Sequence, residues 1–348
     1  MRKMLPLLLG AFIIFGTGAV SFAKTETIPA TGKFVMGDRD SKSDAKKLAL
    51  MNAKQMALEK AGTYLESSSE VKNFQLTNDE ITSLAAGVIS VEILDEKWTL
   101  AGESPVVTIT IRATINTEGL EQRINSLRDD PGTTEDFKNI QAELVRLKQE
   151  LETLKQKEKK EASSDEKKIV NDQKKETLNR MIALGNVNDA SAKMMQPQGP
   201  VEDAITGFDD AIARDPNNFI AYLKRSEAHA RAGRMQVALS DIEKALQINP
   251  NNPRALVTKG RILLRAGQYG PAVQQFSRVI EMKPDCGPCY RFRGDGLVKL
   301  KRFRPAFMNY KKACELGVKA ACRRAKFMAE KAKKLRQKDQ QGKKRRKK

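Results

Sequence analysis

The chain has 348 residues, about two ordinary domains in length, of which 40% are hydrophobic, 5% aromatic and 30% charged, with a formal net charge of +20. Its single histidine, His229, excludes a two-histidine metal site and argues against histidine-based catalysis. Low aromatic content beside abundant Ala, Lys, Glu and Leu points to a helix-rich scaffold rather than a β-sandwich, and the strong apolar periodicity excludes pure disorder.

Residues 1–23 read as a secretory leader. Met1-Arg2-Lys3 is a basic start, an apolar run follows from Met4 to Val20, and Ser21 and Ala23 place small residues where a signal peptidase needs them. The expectation is cleavage before Lys24, with an uncleaved anchor as the alternative. Pro6, Gly10, Gly16 and Gly18 weaken a spanning helix in that run. The mature chain is therefore expected to be soluble, exported and periplasmic.

Residues 24–129 read as a small α+β domain. Ser43 or Asp44 is the expected cap of a helix ending at Ala61-Gly62, along which Ala45, Ala49, Ala53, Ala57 and Ala61 recur every four residues. Such a smooth strip lets a helix approach a sheet closely. Ile89, Val91 and Ile93 alternate with Ser90 and Glu92, and Val107 to Ile115 alternate with Thr108, Thr110, Arg112 and Thr114. Period two of this kind predicts two strands with one buried face, joined through Gly102-Glu103-Ser104-Pro105. The alanine-spaced helix, the Gly62–Ser68 stretch, Ile81–Ile89 and the hairpin together resemble the N-terminal domain of flagellar assembly protein T. That resemblance implies an envelope protein with a small interaction domain and no catalytic machinery.

Residues 130–176 read as a coiled coil and a charged linker. Phe137, Ile140, Leu144, Leu147, Leu151 and Leu154 are spaced 3, 4, 3, 4, 3, an a/d seam that predicts either self-association as a homo-oligomer or docking on the chain itself. Lys155 to Lys175 is polar and of mixed charge, as a solvated helix or linker would be.

Residues 177–335 carry a repeat. Ala204, Ala238, Ala272 and Ala306 recur every 34 residues, as do Phe208, Ile242, Phe276 and Tyr310, and Ala211, Ala245, Val279 and Ala313. Pro216, Pro250 and Pro284 hold the same register, and so do Ser226, Gly260 and Gly294. This period and residue set resemble the tetratricopeptide repeat. Small residues would sit where paired helices cross, aromatics between repeats, and proline after each second helix. Three complete pairs span about 219–318, an incomplete earlier one uses Thr177–Met195 and Ala204–Pro216, and Lys319 to Leu335 is expected to cap the end. The fold class expected is thus mixed: a small N-terminal α+β domain, a helical coiled-coil segment and a C-terminal all-α superhelix.

The repeat resemblance implies a concave groove lined by the first helix of each pair. Its positions fall on Leu223, Lys224, Glu227 and Arg231, then Arg254, Val257, Thr258, Arg261 and Arg265, then Arg291, Phe292, Asp295 and Lys299. Seven cations against two carboxylates suit a protein partner offering an acidic or extended peptide. The paired asparagines that hold a terminal carboxylate in chaperone-binding members are absent, and Lys224 and Thr258 stand in their place.

Four cysteines, Cys286, Cys289, Cys314 and Cys322, lie late in the chain. An even number in an exported chain favours disulfides, with three connectivities open. The spacing resembles the stapled helical-pair repeats of cysteine-rich secreted bacterial proteins, which implies Cys314–Cys322 and, second, Cys286–Cys289. Cys286-Gly287-Pro288-Cys289 also copies a thioredoxin redox tetrapeptide, so a thiol-disulfide oxidoreductase is the rival reading, although its βαβ context is missing. Residues 336–348 form a basic tail expected to be disordered, for which export suggests an anionic envelope polymer or lipid surface rather than nucleic acid. No cofactor, metal or catalytic residue is expected.

Overall fold

The computed structural model describes residues 25–37, 40–72, 74–117, 120–129, 132–160, 163–195 and 200–330. The leader and the basic tail lie outside the described residues. No helix among the described residues is long and apolar enough to cross a membrane.

The N-terminal unit is an antiparallel sheet under a long helix. Strands β1 (Thr25–Val35), β2 (Ile89–Ala101) and β3 (Ser104–Asn116) lie in the order β1-β3-β2. The β2–β3 hairpin and its turn at Gly102 agree with the alternation, but β1 is an additional strand. Proline is tolerated in β1 because it is an edge strand. Helix α1 (Lys42–Ser67) is capped by Ser41, whose Oγ accepts the Asp44 amide at 3.0 Å, rather than by Ser43 or Asp44. It also runs past Gly62, because Ala61 and Leu65 are buried against Leu84 and Ile115 and outweigh a helical glycine's cost of about 1 kcal/mol.

The alanine strip does what its spacing suggests. Ala45, Ala49, Ala53, Ala57 and Ala61 are wholly buried. A Cβ at Gly32 in β1 would overlap the Ala49 carbonyl oxygen and the Ala53 amide nitrogen, so helix and strand meet backbone to backbone. The short α2 (Ser69–Lys72) leads to α3 (Asn78–Val88), which opens with a capping box between Thr77 and Glu80. Helix α4 (Leu120–Asp129) follows the sheet.

Helices α5 (Gly132–Lys160) and α6 (Ser164–Met195) form an antiparallel hairpin. Its rungs are Arg180–Glu143 at 2.7 Å, Thr177 donating to Glu150 at 3.0 Å, and Lys174–Glu158 at 2.6 Å. Ile140, Leu144, Leu147 and Leu151 join one core with Leu178, Met181 and Ile182 of α6 and with the sheet domain's Phe34 and Leu48. The expected homo-oligomer through the 137–154 seam is therefore corrected. The seam is filled from within the same chain. Of the segment expected to be a solvated helix or linker, 155–160 and 164–175 are helical, and Val170 and Lys174 are buried rather than solvated.

The remaining helices pair in sequence: α7 (Val201–Arg214) with α6, then α8 (Phe219–Arg231) with α9 (Met235–Ile248), α10 (Pro253–Arg265) with α11 (Tyr269–Met282), and α12 (Gly287–Lys299) with α13 (Phe303–Glu315). Each element recurs for a reason visible in the packing. A Cβ on Gly260 would lie 2.7 Å from the Phe276 ring and one on Gly294 2.8 Å from the Tyr310 ring. The repeated small residue and the repeated aromatic are two sides of one contact. Asn218 and Asn252 cap α8 and α10 through their side chains. A terminal helix over 319–330 covers the last pair, with Ala321 buried beside Tyr310 and Ala313.

Candidate functional site

The first helices α8, α10 and α12 bring the expected groove residues onto neighbouring elements, in two unlike halves. In the N-terminal half the chain itself supplies an occupant. Asp136, near the start of α5, places Oδ2 2.7 Å from Lys224 Nζ and 2.8 Å from Arg254 Nε. Glu227 completes the cluster, 3.2 Å from Arg254 Nη2 and 3.7 Å from Lys224 Nζ, and accepts from the Thr258 hydroxyl at 3.4 Å. The approach is close enough that a Cβ on Gly132 would overlap the Arg254 guanidinium.

Burial and charge compete within this cluster. Burial pushes the Asp136 carboxyl above the usual carboxylate range, with Lys224 and Arg254 pulling the other way. Burial also opposes ionisation of Glu227, but Lys224, Arg254, Arg261 and Arg231 overcome it and hold that carboxyl at about 2. Two cations and two carboxylates thus neutralise one another out of water. Leu223 is wholly buried among Ile242, Ala245 and Ala255 and presents no groove surface.

The C-terminal half differs. Arg231, Arg261 and Arg265 converge there. Burial, and then the like charges of Arg261 and Arg231, hold the Arg265 guanidinium below its ordinary pKa. Arg231 donates to the Met194 carbonyl at 2.8 Å, which anchors it at the rim. Phe292 has two guanidiniums near its ring, Arg291 at 3.9 Å and Arg261 at 5.6 Å, and stacks on Phe276 at 5.6 Å. Val257 is half-buried beside it, and Lys299 is exposed. Asp295 is engaged by Arg324 of the terminal helix and by the Tyr310 hydroxyl at 2.7 Å. Arginine and aromatic surface therefore dominate this half.

Both disulfides are present, Cys286–Cys289 and Cys314–Cys322. Cys289 is wholly buried with Leu256, Val279 and Ile280, and its amide donates to Cys286 Sγ at 3.3 Å, so the pair sits at the α12 cap within the core. No group of three or more metal-ligating side chains occurs among the described residues. The occupant residues Gly132 and Asp136 have no signal in the local sequence. Only the tertiary docking of α5 reveals them.

Residues 198–253 and 229–293 each match a tetratricopeptide repeat family model. Residues 198–293 are tetratricopeptide repeats. No curated protein matches the chain. Among solved structures, MamA 41-end from Desulfovibrio magneticus RS-1 is 21% identical, over 46% of this chain and 86% of its own, with a TM-score of 0.39. A thermophilic TPR protein from Thermus thermophilus, TTC0263, is 18% identical, over 47% and 94%, at 0.37. The first TPR of Spaghetti (RPAP3), bound to HSP90 peptide SRMEEVD, is 22% identical, over 34% and 93%, at 0.33. The tetratricopeptide matches cover α7 to the first half of α12, while the sheet domain and the whole α5–α6 hairpin lie outside the matched residues.

Proposed function

We propose that this chain is a non-enzymatic adaptor whose superhelix holds an acidic, extended segment of a partner protein in the C-terminal half of the groove. Stacked helix pairs offer extended concave surfaces of the kind protein scaffolds use. The observation that carries the reading is Arg261 and Arg291 lying over Phe292, 5.6 and 3.9 Å from its ring, with the like charges of Arg231 and Arg265 close to Arg261. Like charges held together raise the energy of the free protein, and an anion placed among them lowers it. Carboxylates of the partner would bridge the guanidiniums, while an apolar side chain lies on Phe292. The N-terminal half would contribute little, since Asp136 already satisfies Lys224 and Arg254.

Export to the periplasm is part of the same proposal, supported by the leader pattern and by cysteines that pair. The resemblance of the N-terminal domain favours an envelope or flagellar-associated assembly as the setting. The basic tail would add a diffuse contact to anionic polymer or lipid. The test is a titration of a fluorescent Asp/Glu-rich peptide against the full chain. The double variant Arg261→Glu/Arg265→Glu should abolish binding, and unchanged affinity would sink the groove reading.

A further inference from the structure

The two edges of the sheet are treated differently. On β1, Pro29 lacks an amide hydrogen, Asn52 Nδ2 donates to the Lys33 carbonyl at 3.0 Å, and Lys60 Nζ donates to the Pro29 carbonyl at 3.1 Å. Side chains of α1 thus close that edge. The β2 edge has no neighbouring strand among the described residues, and every residue from Ser90 to Ala101 is exposed. Helix α1 lies over β1 and β3 and leaves β2 largely bare. The helix-side row of β2 consequently exposes apolar surface: Val91 36%, Ile93 46%, Trp98 38% and Leu100 73%. A long open edge beside apolar side chains is a template for strand pairing.

The strand's own pattern names its complement. Ile89, Val91 and Ile93 stand opposite Ile115, Ala113 and Ile111 of β3; after an irregularity between Ile93 and Asp95, the same face continues with Glu96, Trp98 and Leu100. The extra residue, Leu94, shifts the alternation by one. A regular strand pairs with an antiparallel copy of itself only when opposed residues have the same parity in sequence. Here the shift lets the first half of one copy face the second half of another with matching sides. Val91 then opposes Trp98, Ile89 opposes Leu100, and Ile93 lies against the stem of Glu96, whose carboxylate is drawn toward Lys46 of α1. On the outer face Glu92 opposes Lys97, twice by symmetry. Moving the two copies two residues in one direction sets Glu92 against Asp95, and in the other direction sets Asp95 against Glu96, whose side chains lie on opposite faces, so the sides no longer match. Charge and facing together therefore select one register.

We infer that β2 is a homodimerisation edge, at which two copies of this chain join their sheets antiparallel about a two-fold axis near Leu94, with reciprocal Glu92–Lys97 pairs. The α5 seam, already buried within the chain, takes no part. Sedimentation velocity of the full chain over a concentration series tests this. A concentration-dependent dimer is expected, weakened about tenfold by Glu92→Lys or Lys97→Glu alone, as opposed pairs become like charges. The double reversal should restore most of the affinity. As a second measurement, the Glu92→Cys/Lys97→Cys chain should form a covalent dimer on mild oxidation. A monomer throughout, a dimer indifferent to the single reversals, a double variant no better than the singles, or failure of the cysteine variant to cross-link would each overturn the inference.

Discussion

The Asp136 carboxylate and the Lys224 ammonium lie 2.7 Å apart, both almost wholly withdrawn from water, although they come from opposite halves of the chain. This pair joins the sheet-bearing half of the molecule to the repeats. It also makes the N-terminal half of the groove an internal joint rather than an open surface.

Removing one member of such a pair leaves its partner charge buried and uncompensated. Asp136→Ala should therefore destabilise the protein by about 3–5 kcal/mol, measured by urea denaturation. Replacing both charges, as in Asp136→Ala/Lys224→Met, should cost less than the single change. A loss within about 0.5 kcal/mol for the single variant, the size of an ordinary surface substitution, would mean that the joint is not closed in solution.

Glu227 gives the joint a pH dependence. Its folded pKa of about 2 lies below the ordinary glutamate value of about 4.3. Its stabilising contribution is thus fully present above about pH 4.3 and is lost as the pH falls toward about 2, in total on the order of 3 kcal/mol. Asp136, raised by burial, acts with the opposite sign. The comparison that isolates Glu227 is denaturation of the native chain and Glu227→Gln across that window. The variant should show a shallower acid slope, and equal slopes would contradict the assignment.

The Cys314–Cys322 bridge closes a short loop between α13 and the terminal helix. Opening it with Cys314→Ser/Cys322→Ser should cost about 2–3 kcal/mol by the loop-entropy argument. The last pair has a repeat on one side only, so the loss should fall there first. Hydrogen exchange should accelerate over 303–330 while α8 and α10 keep their protection. Uniform acceleration along the superhelix would contradict a local role.

The repeats are legible in the sequence because the anchors return at a fixed spacing, and Gly260 with Phe276 makes the same contact as Gly294 with Tyr310. The alanine strip of α1 is legible for the same reason. Strand β1 is harder to read, since Pro29 and Gly32 look like breakers. At an edge the proline costs no sheet hydrogen bond, and the glycine is what admits α1. The second half of β2 escapes because the extra residue at Leu94 inverts its alternation. The seam at 137–154 shows that one helix face is buried but not what buries it, and α6 proves to be the partner. The groove register names Lys224 and Thr258 but cannot show that Asp136 reaches them.

The C-terminal half of the groove, around Arg261, Arg265 and Phe292, is proposed to receive an acidic segment while the N-terminal half remains closed by α5. Hydrogen–deuterium exchange of the full chain with and without an Asp/Glu-rich peptide tests it most directly. Added protection is expected over Pro253–Arg265 and Gly287–Lys299, with 132–144 unchanged. Protection confined to residues outside these first helices, or release of 132–144 on binding, would contradict it.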